Sequence, residues 1–467
     1  MIRSLSPRAT APFTIAQAYA SWGSALSFDD VPGDVVRDAH LRFLDSIGVA
    51  LACFGEEFAR AVVASLLAPG GRSTVIGSGV KFSEADAAFA NGTFIHGLDF
   101  DDTHTTAIVH ASACIVPTAL GVGESVGASG QDVLTAAVLG WETVVRIGAA
   151  AAGRFHDRGF HASGVAGAFA AALVAGKLYG LNADQLTNAL GIVGSQAAGI
   201  FEYLADGSWV KRIHPGWAAH CGIYAARMAR AGFTGPKSVF EGRFGLYNTH
   251  VGEGNYDLDT AVAGLGSTWE TPRISYKPYP CCHYNHAFLD CVANVQRDAS
   301  LRTQDIARII CHISERQIPI VCEPVAAKLR PRTDYDAKFS LQFCVAAMLV
   351  HGRVDMMTFS EENLRSADIL ELAAKVEYRV DPASRFPATF PGRITVETVD
   401  GTTLEAAQDF NRGGPDLPIA AAEIEEKFRR NAALACSPEH VQKLLEAIER
   451  LDRLDDVRGL APLLAVR

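Results

Sequence analysis

Four short stretches interrupt an otherwise apolar, small-residue sequence with groups able to do chemistry. The first, residues 91–112 (NGTFIHGLDFDDTHTTAIVHAS), carries Asp99, Asp101 and Asp102 together with Thr103, His96, His104 and His110. Such a mixture fits a metal site, an acid–base site or an exposed acidic loop. Asp and His suit Mn, Fe or Zn, yet no spacing such as H-E-x-x-H sets two ligands on one helical face. The second is His161 in GFHAS, directly before an Ala-rich run. A histidine at a helix entry sits near the positive end of the dipole, which lowers its pKa and attracts anions; otherwise it is a core residue. The third, WVKRIHPG, gathers Lys211, Arg212 and His214 into a compact cationic cluster. Its bland alternative is a solvated basic turn. The fourth is YKPYPCCHYNH at 276–286, where two prolines stiffen the backbone around Lys277. Cys282 and His283 invite comparison with a thiol nucleophile and its base, but sequence neighbours point in different directions.

The elements that must position these groups fall into two kinds. From about residue 12 to 270 the sequence reads as helix after helix. Residues 34–52 place Val35, Ala39, Phe43 and Ile47 at helical spacing, and 130–153 is similar. Asn182 and Gln185 have the form of a capping box opening a helix through about Leu204. Runs such as 162–176 and 217–231 are rich in Ala and Gly, as expected of inner helices whose axes approach closely. Near Arg273 the pattern changes. Residues 307–314 and 375–380 are strand-like, and 394–399 and 402–406 flank an Asp400-Gly401 hairpin turn. Between them 337–349 and 361–374 read as helices, and helical patterning returns after Pro418. The fold class is therefore mainly α with a smaller α+β domain, and Lys277 lies at the boundary, well placed for an interdomain cleft.

Composition bounds the chemistry. With 467 residues the chain exceeds one ordinary core, and 49% hydrophobic against 20% charged residues is globular composition. A net charge of −10 without a basic stripe predicts neither nucleic acid nor an anionic membrane as partner. An anionic substrate would then require cations concentrated in one cleft. No secretory leader is read at the N-terminus, and the longest uncharged small-residue stretch, 164–176, is too short to span a bilayer. The ten cysteines form no C-x-x-C pair, which predicts buried reduced thiols in a cytoplasmic protein and no iron–sulfur cluster.

Taken together and in order, NGTFIHGLDFDDTH, GFHASG, KRIHPG, YKPYPCCHYNH and DAKFSLQF (336–343) resemble the MmgE/PrpD family along the whole chain. The resemblance implies a large helical domain over 1–272, completed by 408–467 packing back on it, and an α+β lid over 273–407. It implies a homodimer with an interdomain site, without metal or other cofactor, acting on a di- or tricarboxylate. Carried over by motif, the catalytic positions are Asp99, His110, His161, Lys211 and Lys277. Thr103, His104, Arg212, His214, Cys282 and His283 are expected to contact substrate, with His104 the alternative should His110 be displaced. The family's shared difficulty is making or breaking a C–H bond next to a carboxylate, which needs a base and cations to hold the developing dianion. Dehydration of a citrate-like acid is the expected reaction. Epimerisation of an iminodisuccinate-like acid and decarboxylation of cis-aconitate are the alternatives, the latter set back because 319–333 offers no lid tyrosine. An inactive carboxylate-binding homologue is the non-enzymatic alternative.

Overall fold

The computed structural model describes residues 13–66 and 69–466. The helical region is built around α1 (Gly33–Cys53), α2 (Glu84–Gly97), α3 (Ser112–Val126), α4 (Gly130–Ala151), α5 (Ala162–Leu178) and α6 (His214–Arg230). At its centre lies α5, buried over its entire 162–176 run. Its small residues permit this. A Cβ added to Gly222 of α6 would lie 2.5 Å from the Ala171 Cβ, so the α5 and α6 backbones meet almost directly. α4 begins where Ser129 and Asp132 form a reciprocal capping box. It is long and apolar enough to cross a bilayer, but 94% of its apolar window is buried inside the protein.

Two expectations about helix ends are corrected. Asn182 and Gln185 do cap a helix at Ala183, but it stops at Val193 rather than near Leu204. The following segment leaves the helix to pair with the chain beside His161: His161 N donates to Gly199 O at 2.9 Å, and Phe201 N to Gly159 O at 2.9 Å. The 361–374 helix is likewise two pieces, Glu361–Leu364 and Ala367–Ala373, broken at Arg365 and Ser366. The helical region also carries a short antiparallel ribbon pairing Ser73–Thr74 with Lys81–Phe82.

The second region holds a four-stranded sheet of β1 (Ile306–Ile313), β2 (Val376–Val380), β3 (Gly392–Thr398) and β4 (Thr403–Gln408), in the order β2-β1-β3-β4. β1 and β2 are parallel, with Ile309 opposite Val376, so a long crossover must join them. That crossover contains α8 (Leu341–His351), which packs against α7 (His286–Ala299). One sheet face is covered by α7. The other is solvated, with Arg308 bidentate to Glu397 across β1 and β3 at 2.8 Å.

Two hydrophobic cores result. One combines residues of 15–274 with 428–464; the other is formed by 281–396 and takes in Ile108 and Tyr203 from the helical region. Helix α9 (Ala421–Ala432), which follows the sheet, thus lies on α1, where a Cβ on Gly48 would sit 2.9 Å from the Phe428 ring. Phe428 is fully buried. Phe428→Ala is expected to cost about 3–5 kcal/mol in urea unfolding. A loss below about 1 kcal/mol would show that α9 does not close the first core.

Candidate active site

Beyond α2 the chain turns sharply, and Asp99 takes the left-handed backbone (φ 54°) that costs a non-glycine residue about 1–2 kcal/mol. The turn is held by buried cations from distant segments. Leu98 O accepts from Lys338 Nζ at 2.9 Å, Asp99 O from Lys277 Nζ at 2.9 Å, and Phe100 O from Lys427 Nζ at 2.8 Å. Asp102 accepts from Arg42 Nη1 at 2.8 Å. Thr103 and Ser275 then exchange backbone hydrogen bonds at 2.9 Å, which lays the Lys277 segment alongside the turn.

At the centre is a buried charge triad. The Asp99 carboxylate accepts from Lys211 at 2.8 Å on one oxygen and from Lys277 at 3.0 Å on the other. Burial opposes ionisation of Asp99, but Lys211 and Lys277 outweigh it and hold the carboxyl well below the usual range. Burial likewise works against the Lys211 charge, and Asp99 reverses this, raising its pKa. A second carboxylate, Asp101, lies beside His96 Nδ1 at 2.8 Å and His110 Nδ1 at 3.2 Å. His96 offers its Nδ1–H to Asp101, whereas His110 Nδ1 stands beside the other Asp101 oxygen and 3.5 Å from the Thr103 hydroxyl. His96 Nε2 is then the acceptor for Lys211 at 3.0 Å. Desolvation lowers the pKa of His110, so it stands neutral near pH 7.

These groups face a cavity of about 330 Å³ between the two regions, lined by Asp99, Thr103, His110, His161 and Lys211 from the helical side. Cys282 and His283 line it from the other side, and Lys277 lies directly behind Asp99. His161 precedes α5, and its Nδ1 is 3.1 Å from His214 Nδ1. Desolvation and then Lys211 push His161 well below its ordinary value. Among the described residues neither buried ring nitrogen of His283 has a hydrogen-bond partner, which leaves both available to a ligand. The Cys282 thiol is pushed up by burial to about 12, which disfavours the thiolate a nucleophile needs.

Three expected contact residues lie elsewhere. His104 turns to Glu270 at 3.5 Å, because the chain folds back through a left-handed Ile108 (φ 51°) and presents His110 instead. Arg212 is paired with Asp334 at 3.0 Å and stacked on Phe58 and Tyr335, joining the two regions. His214 stands behind His161. Conversely, Tyr203, His156, Asp157, Tyr284 and Arg316 line the cavity without having been singled out in the sequence. Signals existed for Tyr284, which lies within the YKPYPCCHYNH stretch, and for His156 and Asp157, just before GFH.

By spacing alone a metal ion would find donors in His96, His110 and His161, or in Asp99, Asp101 and His110. Both His96 nitrogens are engaged, however, and each Asp99 oxygen already accepts from a lysine. A cation entering either set would have to displace a buried ammonium.

The buried imidazoles also set the response to acid. His96, His156 and His286 are held down to about 3 by desolvation, whereas in the unfolded chain they take protons near pH 6.5. The unfolded state therefore binds more protons below neutrality, and stability is lost as pH falls from about 6.5 towards these depressed values. Buried Asp45 and Glu142, raised by desolvation, offset part of the loss. The melting temperature is expected to drop between pH 7 and 5. His286→Gln should flatten the slope by up to about 1.4 kcal/mol per pH unit; an unchanged slope would mean His286 is not a buried neutral group.

Residues 17–259 match the family model of the MmgE/PrpD N-terminal domain, and residues 279–453 that of the MmgE/PrpD C-terminal domain. The chain is 31% identical to a cis-aconitate decarboxylase-like protein of Aspergillus oryzae, over 95% of this chain and 96% of that one. It is 30% identical to the cis-aconitate decarboxylase of Aspergillus terreus, over 95% and 94% of the two chains. With the human cis-aconitate decarboxylase it shares 29% identity over 97% of this chain and 94% of the relative. Matched from end to end in both halves, the chain belongs to the MmgE/PrpD family.

Proposed function

We propose that the protein is a lyase that decarboxylates a cis-unsaturated tricarboxylate of the cis-aconitate type. The observation carrying this reading is the Lys211–Asp99–Lys277 triad, set beside neutral His110 and His161 in a cavity of about 330 Å³. The relatives' names supply the substrate class. Dehydration, the reaction expected from sequence, becomes the second reading. One observation favours it: residues 319–333 hold no tyrosine and present Pro319 and Ile320 to the cavity wall, so that Tyr284 is the tyrosine the lid brings there.

The chemistry asks for what the site holds. Loss of CO2 from the –CH2–COO⁻ arm breaks one C–C bond, and its electron pair moves into the adjacent alkene. Charge develops on the carbon next to the far carboxylate and spreads onto that carboxylate. One proton delivered to this carbon completes the reaction, so a trianion and a proton give a dianion and CO2. The triad carries a net positive charge fixed in place before substrate arrives, which stabilises the developing charge without reorganisation. An imidazole that is neutral in the empty cavity gains proton affinity when a trianion approaches. His110, oriented by Asp101, and His161, at the start of α5, are the groups placed to carry that proton.

The test is incubation of the purified protein with ¹³C-labelled cis-aconitate, followed by NMR for labelled CO2 and its unsaturated dicarboxylate. A hydroxy acid formed without CO2 would transfer the assignment to the hydration–dehydration reading. Lys277→Ala and His161→Ala are each expected to lower kcat/KM by about 100- to 10,000-fold. Either variant turning over at close to the wild-type rate would remove that residue from the mechanism.

A further inference from the structure

The cavity wall contains two cations, Lys211 and Arg316, and they differ in how firmly they are committed. Lys211 is bound to Asp99 with both side chains buried, at 3% and 1% exposure. Arg316, which follows β1 in the lid, spans the cavity mouth to Asp157 on the helical side. One Nη2 donates to both carboxylate oxygens at 3.0 and 3.1 Å, with the side chains 35% and 39% exposed. An exposed pair of this kind is weak and easily exchanged.

Each partner also has somewhere else to go. Asp157 lies 3.6 Å from Arg154, so a carboxylate released by Arg316 is not left without a cation. The Arg316 guanidinium lies 5.6 Å from the centre of the Phe386 ring, another cavity residue, which keeps it at the mouth when the ion pair opens. The remaining lining bases contribute no positive charge in the empty cavity. His156, His161 and His283 are all depressed chiefly by desolvation. A trianion entering here meets one fixed centre of positive charge at the triad and one exchangeable cation at the mouth.

We infer that Arg316 is a specificity-determining residue: it takes the substrate carboxylate furthest from the triad, displacing Asp157, which moves to Arg154. This rests on the polycarboxylate reading above but not on the bond that is broken. Because Arg316 and Asp157 stand on opposite sides of the domain boundary, the exchange joins substrate recognition to the contact between lid and helical body. The planar guanidinium suits two-point recognition of a carboxylate, which a lysine would not reproduce.

The experiment is isothermal titration with tricarballylate, a saturated tricarboxylate without the reactive alkene, and with glutarate, which lacks the third carboxylate. Arg316→Gln is expected to weaken tricarballylate binding about tenfold or more and glutarate binding less than about threefold. Arg316→Lys should recover only part of the loss. Asp157→Asn frees the guanidinium and is expected to tighten tricarballylate binding. A purely structural latch predicts instead that both substitutions act in the same direction, since both break one ion pair. That result, equal losses for the two ligands, unchanged or weaker binding in Asp157→Asn, or no tricarballylate binding by the wild type would each overturn the inference. If the binding pattern holds while cis-aconitate releases no CO2, the decarboxylase reading fails and Arg316 keeps its role.

Discussion

One buried carboxylate shared between two lysines is the constraint around which the rest is arranged. Two ammonium groups enclosed in a low-dielectric space repel each other and each carries a desolvation penalty of several kcal/mol. Asp99 resolves both problems by accepting from Lys211 and Lys277 on separate oxygens. It does so from a left-handed backbone, and lysines hold the carbonyls on either side of it. The strain at Asp99 and the charge of the two lysines are therefore parts of a single solution.

The same logic explains why the helical body is made of small residues. A charged centre works well only if it is rigid and dry, and rigidity here comes from helices packed at close backbone contact around α5. The cavity is then a polar wall set on an apolar frame. The helical side supplies the charge and the imidazoles. The lid closes over them with aromatic and thiol surface, Tyr284, Phe390 and Cys282, together with the unpaired imidazole of His283. Closure raises the strength of every electrostatic interaction inside.

What was legible in the sequence was polarity out of place. Asp99, His161, Lys211 and Lys277 stand out because they interrupt Ala- and Gly-rich or Pro-stiffened segments, where charge has no structural reason to be. Helix starts were legible from caps, as at Asn182, because a cap is a local device. The end of that helix was not, since a contact between Gly199 and His161 made by distant folding decides it. Lys427 escaped notice for a different reason: in EIEEKFRR a lysine looks like part of a solvated helical face, and only the tertiary structure turns it inward onto the turn at Asp99. Lys338 lies in the DAKFSLQF motif, but its reach to Leu98 is likewise a tertiary contact. His104 and His110 were indistinguishable by type. The left-handed residue that separates them, Ile108, carries no sequence signal of its own.

The return of α9 to the first core has a bearing on how the molecule is made. Lys427 reaches back to Phe100 and pairs with Asp45 at 2.7 Å, so the turn at Asp99 takes one support from beyond the lid. During synthesis the helical body emerges first and can collapse on its own apolar surface. Its charged centre nevertheless stays incomplete until the lid and then α9 have been made. A chain cut short anywhere before α9 lacks that support, so the charged centre depends on a segment made after the lid.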